Sequence, residues 1–157
     1  MSETALYFTG PETVDRRPVS VDPDPSEVVV ATDASAISAG SELLVYRDEM
    51  PTDLPVDENI EAFDDTFEYP MRYGYAAAGT VVAVGSDVAD DWLDRSVFAF
   101  RPHQTKFTAD PDTLVPLPED VSPAHGSLLP TVETATNLVL DSEPRLSESV
   151  VVFGAGV

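Results

Sequence analysis

Short apolar runs, each closed by proline, glycine or aspartate, set the pattern of this chain. Such punctuation predicts a mostly β architecture with few helices. Residues 27–32 (EVVVAT) read as a strand leaving the turn-rich stretch 22–26. Residues 76–85 (AAAGTVVAVG) read as a second strand, interrupted by Gly79; a glycine inside a strand marks a bulge or a close backbone approach. Residues 97–100, 104–109 and 114–117 read as three more short strands, split by Pro102 and by Asp110-Pro111-Asp112.

Two segments break the β pattern. Residues 40–47 (GSELLVYR) predict a short helix with Ser41 as its cap and Leu43, Leu44 and Tyr46 as its apolar members. Residues 122–140 predict a longer one: Ser122 caps, Pro123 fits the first turn, and Leu128, Leu129, Val132, Ala135 and Val139 recur at helical spacing. Pro130 lies inside this stretch and predicts two helical pieces. Residues 148–153 (ESVVVF) read as a final strand running into Gly154-Ala155-Gly156-Val157. Residues 50–68 hold seven acids and read as an exposed loop.

With 157 residues, 43% of them apolar, the chain can bury a real core. No apolar run approaches the ~20 residues of a membrane span, and the first ten residues lack the pattern of a secretory leader. The absence of cysteine excludes disulfides, thiolate metal sites and a cysteine nucleophile. Charge changes the picture most: 29 acids against 8 Lys and Arg give −21, and Lys106 is the only lysine. Nucleic acid and anionic membrane are therefore poor partners. Dispersed aspartate with almost no lysine resembles proteins of salt-loving archaea. Screening shortens from about 10 Å at 0.1 M salt to about 3 Å at 1 M, so stability should fall on dialysis to low salt. Equal unfolding midpoints in dilute buffer and in molar KCl would contradict this.

The end of the chain carries chemistry. An apolar strand entering Gly-x-Gly opens a dinucleotide-binding βαβ unit, whose glycines let backbone N–H groups approach a pyrophosphate. Here the third glycine, the helix and the ribose-binding acid do not follow within the 157 residues. By itself VVVFGAG is a weak signal, but its setting sharpens it. Residues 74–85 (GYAAAGTVVAVG) look like the G-H-E-x-x-G-x-V-x-x-V-G signature of the medium-chain dehydrogenase/reductase family, which includes alcohol dehydrogenases and quinone reductases. Residues 39–42 (AGSE) look like its C-G-T-D stretch, 94–97 (DRSV) stand where it has G-D-R-V, and 114–120 (LVPLPED) look like its L-x-x-L-P-D connector.

The resemblance covers nearly the whole chain and implies a GroES-like, partly open β-barrel over residues 1–122, followed by the first helix and strand of an incomplete Rossmann domain over 123–157. It implies the catalytic-domain portion of an NAD- or NADP-dependent oxidoreductase that exchanges hydride with a carbonyl, alcohol or enone-like small molecule, in the cytoplasm, as a homodimer or homotetramer at full length. The departures bear on mechanism. Where the family holds catalytic zinc, this chain has Ala39, Tyr75 and Pro130, with Ala76 in place of the acid after the histidine, so no zinc is expected. Within the resemblance Ser41 falls at the Ser/Thr proton-relay position, Tyr75 replaces a ligand that points into the cleft, and Thr134 falls at a nicotinamide contact. Gly154 and Gly156 belong to the pyrophosphate turn. Glu42, His103 and Lys106 are weaker candidates, and His125 reads as a helix-start residue. The competing reading is a GroES-like binding or structural module without redox activity, in which Ser41 only caps and Tyr75 only packs.

Overall fold

The computed structural model describes residues 2–50 and 68–154; the acidic stretch read as a loop lies almost wholly outside them. Strands β1 (Thr4–Gly10) and β2 (Thr13–Pro18) form an antiparallel hairpin. Sequence reasoning passed over this hairpin, because TVDRRP is polar and mostly exposed and carries no core-marking alternation. Its signal was Pro11 between two β-prone runs.

The main sheet has five antiparallel strands in the order β6-β3-β4-β5-β7. They are β3 (Val28–Ser35), β4 (Ala77–Val84), β5 (Ser96–Ala99), β6 (Lys106–Ala109) and β7 (Val115–Pro116). Both sheets are open, and isolated bridges from Ala5 to Gln104 and from Phe8 to Met71 join the hairpin to the rest. One core cluster packs Val28, Val30, Val81, Val97, Phe107 and Leu114. A second gathers Phe8, Val45, Met71 and Tyr73 under the hairpin. The hairpin is clasped to the β6 side by Thr4 N–H on Thr105 Oγ1 (2.9 Å), Leu6 N–H on the His103 carbonyl (2.9 Å) and a Lys106–Glu3 ion pair (3.0 Å).

Gly79 performs the role its place in a strand suggests. A Cβ there would lie 2.0 Å from the Ala31 carbonyl oxygen, and the β3–β4 register shifts between Thr32 and Ala34. Gly79 therefore marks the close approach, and the bulge lies opposite it on β3, where Asp33 is the extra residue.

Helix α1 (Ser41–Tyr46) corrects two expectations. Gly40, not Ser41, occupies the cap position, and no side chain caps there. Its buried residues are Glu42 and Val45, while Leu43 and Leu44 are each 37% exposed. The helix turns its carboxylate inward because that group finds polar partners there.

Helix α2 (Pro123–Gly126) has Ser122 accepting from the His125 N–H, and α3 (Leu129–Ser142) has proline in its first turn. The break at Pro130 thus falls where the sequence placed it. Helix α2 packs on β3, β4 and β5, whereas α3 buries no residue. Residues 148–153 do not form the expected strand: they run without pairing, with Phe153 94% exposed. Strand geometry requires a neighbour for its N–H and C=O groups, and none of the described residues provides one. Deleting everything after Pro130 should therefore change the stability of the remaining domain by no more than about 0.5 kcal/mol, read as the urea midpoint. Among the described residues no helix is long and apolar enough to cross a membrane.

Candidate active site

A cleft of about 410 Å³ lies where the end of β3 and the start of β4 meet α2 and α3, with Ser38, Tyr75, Leu128, Pro130 and Thr134 among its walls. The Tyr75 hydroxyl donates to Ser38 Oγ at 2.6 Å. Thr134 Oγ1 donates to the Pro130 carbonyl at 2.9 Å, the ordinary back-bond of a helical threonine. Two residues singled out in the sequence, Tyr75 and Thr134, thus share one cleft although 59 positions separate their numbers.

Ser41 does not line that cleft. It hydrogen-bonds Tyr73, whose ring meets the Tyr75 ring edge-on with centroids 6.4 Å apart. Burial, then the neighbouring Tyr75 and the Glu42 charge, push the Tyr73 phenol up to about 12, so it stays a neutral donor. Gly154 is exposed at φ +89, a left-handed conformation that favours glycine, with nothing within 4 Å of the Cβ it lacks. Gly156 lies outside the described residues.

The most elaborate polar arrangement is one the sequence ranked low. Glu42 and His103 are 5% and 9% exposed, and His103 Nε2 meets Glu42 Oε2 at 2.9 Å. Glu42 Oε1 accepts the Ser38 N–H at 2.9 Å, and His103 Nδ1 lies 2.8 Å from Ser35 Oγ. Gly74, at φ +120, lies flat against this imidazole: a Cβ there would stand 2.8 Å from His103 Nε2. The pair therefore fixes the backbone of Ser38 and backs the residue before Tyr75, gripping the Tyr75–Ser38 hydrogen bond from both ends. Only an acid flanked by apolar helix residues and a histidine just after buried strand residues hinted at it.

Lys106 is held by Glu3 away from the cleft. His125 is exposed, with Nδ1 3.3 Å from Ser122 Oγ, in keeping with a helix-start residue. Among the described residues no group of three or more His, Cys, Asp or Glu side chains is placed to hold a metal. Ala39, Tyr75 and Pro130 do not make a zinc site by their chemistry.

No family model matches the chain. It is 29% identical over 127 residues to the 2-desacetyl-2-hydroxyethyl bacteriochlorophyllide A dehydrogenase of Cereibacter sphaeroides, a match spanning 80% of this chain but 33% of that protein. The fold is shared with an Escherichia coli oxidoreductase/dehydrogenase of unknown specificity (TM-score 0.71, 17% identity, 94% of this chain and 49% of that one). It is shared too with the quinone oxidoreductase of Coxiella burnetii (TM-score 0.64, 18% identity, 91% and 46%). The chain thus spans under half the length of each. In fold and in sequence the chain resembles part of the medium-chain dehydrogenase/reductase oxidoreductases, with a mostly β, open-sheet GroES-like architecture.

Proposed function

We propose that this chain is the catalytic-domain portion of a zinc-independent, NAD- or NADP-dependent oxidoreductase acting on a carbonyl, alcohol or enone-like small molecule in the cytoplasm. The supporting observation is the cleft in which the Tyr75–Ser38 hydroxyl pair faces Thr134. The division at residues 122/123 is part of this proposal, with residues 1–122 as the catalytic domain and the rest opening the nucleotide-binding one.

A bound nicotinamide would supply the hydride chemistry. Thr134 would contact its ring, and Gly154 and Gly156 would belong to the turn that admits its pyrophosphate. The protein's own task is to orient the substrate oxygen and stabilise its charge. A hydroxyl both donates and accepts, so Ser38 can donate to Tyr75 while the Tyr75 proton turns to the substrate oxygen. Ser41 supports this indirectly by holding Tyr73 against Tyr75.

The phosphate-binding helix is not among residues 1–157, so this polypeptide should show no measurable NAD(P)H binding by calorimetry. A version extended through a full βαβαβ unit should bind. In that protein Thr134→Ala should weaken cofactor binding. Tyr75→Phe should lower turnover about 100-fold with little change in affinity, and Ser41→Ala should lower it less. Full turnover in the Tyr75→Phe, Ser41→Ala double variant would reject the catalytic assignment.

A further inference from the structure

A second and larger cavity, about 570 Å³, opens between the N-terminal hairpin and α1. Its apolar walls are Leu6, Phe8, Val14, Ile37, Leu43 and Tyr46, and its polar groups include Ser35, Glu42 and His103. Ile37 alone of the lining residues also borders the Tyr75 cleft, so the two spaces adjoin across that side chain. The volume falls within the range of about 300–1,000 Å³ usual for small-molecule sites, as does the pairing of apolar walls with a few convergent polar groups.

We propose that this cavity is a small-molecule site for a neutral, predominantly apolar alcohol, whose hydroxyl donates to Ser35. The hydrogen-bond arithmetic selects that ligand. Glu42, as a carboxylate, accepts from the Ser38 N–H and requires the His103 proton on Nε2. In the neutral imidazole Nδ1 is then an acceptor, so the Ser35 hydroxyl spends its proton on His103. Ser35 is exposed and lines the cavity, and its oxygen keeps acceptor capacity there. A ligand that donates satisfies this oxygen, whereas an ether or a ketone meets it lone pair to lone pair. Apolar surface on Val14 (47% exposed) and Ile37 (75%) awaits a hydrocarbon or aromatic body. Arg16 and Glu42 both line the cavity, so its formal charges balance and favour a neutral body. This site needs neither nicotinamide nor hydride chemistry.

The test titrates the 157-residue chain with 1-naphthalenemethanol and with its methyl ether, following backbone amide NMR shifts in molar KCl. The alcohol should bind saturably and at least tenfold more tightly than the ether, with the largest shifts at Ser35, Leu43 and His103. Ser35→Ala should abolish the tenfold preference while leaving the spectrum folded. Leu43→Trp, at a partly exposed position, should block both compounds. An absence of saturable shifts up to millimolar probe would overturn the proposal. So would a preference that survives Ser35→Ala, or one removed by Tyr75→Phe, which would place the alcohol in the neighbouring cleft.

Discussion

Gly79→Ala is expected to cost about 3 kcal/mol or more and to leave the chain largely unfolded under conditions where the parent is native. Overpacking typically costs about 1–3 kcal/mol because side chains and backbone can shift. Here the added carbon would sit 2.0 Å from the Ala31 carbonyl oxygen and 2.9 Å from Thr32 Cα, both backbone atoms of the neighbouring strand β3. They can retreat only by separating β3 from β4, the pairing on which the main sheet is built. A small domain holds about 5–15 kcal/mol in all, so such a loss is a large share. Gly10→Ala is the control: nothing lies within 4 Å of its Cβ position, and its effect should stay within about 0.5 kcal/mol. Urea midpoints at fixed salt measure both, and a Gly79 variant within about 1 kcal/mol of the parent would mean that the strands yield easily.

Glu42→Ala is the second large effect. Removing one member of a buried polar pair leaves its partners unsatisfied and typically costs about 1–3 kcal/mol for each buried donor so stranded. His103 would lose its Nε2 acceptor, and the Ser38 N–H would lose the carboxylate that takes its hydrogen bond. Glu42→Gln keeps the shape: its amide oxygen can accept from Ser38 and its amide nitrogen can donate to the other imidazole tautomer. That variant should lose only about 1 kcal/mol. A larger loss for Gln than for Ala, by chemical denaturation, would mean that the acid is tolerated there and not used.

The strands were legible wherever a valine-rich run ended in proline or glycine, because burial on a pleated surface and chain punctuation are both local. The helix break at Pro130 and the packing at Gly79 were legible for the same reason: ring geometry and a missing side chain act where they stand. The N-terminal hairpin escaped because half of it is polar and exposed, so the residues that define it lie across the pairing and not along the chain. Residues 148–153 show the converse, since a continuous apolar run records a capacity to pair that nothing among the described residues fulfils. Tyr75 and Thr134, which line one cleft, were singled out through the family resemblance. Ser38, whose hydroxyl meets the phenol, was not singled out, because which hydroxyl does so depends on how α1 is entered. The Glu42–His103 contact joins residues 61 apart and becomes visible only once Val45 is known to face inward, taking Glu42 with it.

The clasp between hairpin and sheet has a practical corollary. Lys106 carries the chain's only side-chain amine, and Glu3 on the hairpin side holds it. Amine-directed reagents therefore have one side-chain target, and the rate at which it is modified reports how often the hairpin lifts away. Five of the seven arginines supply the other cleavage points for trypsin, since Arg17 and Arg101 precede proline, and a lysine shielded by an ion pair should be cut late. Limited digestion followed by mass spectrometry would thus time the detachment of the hairpin, with a dye on Lys106 as a single-site optical counterpart.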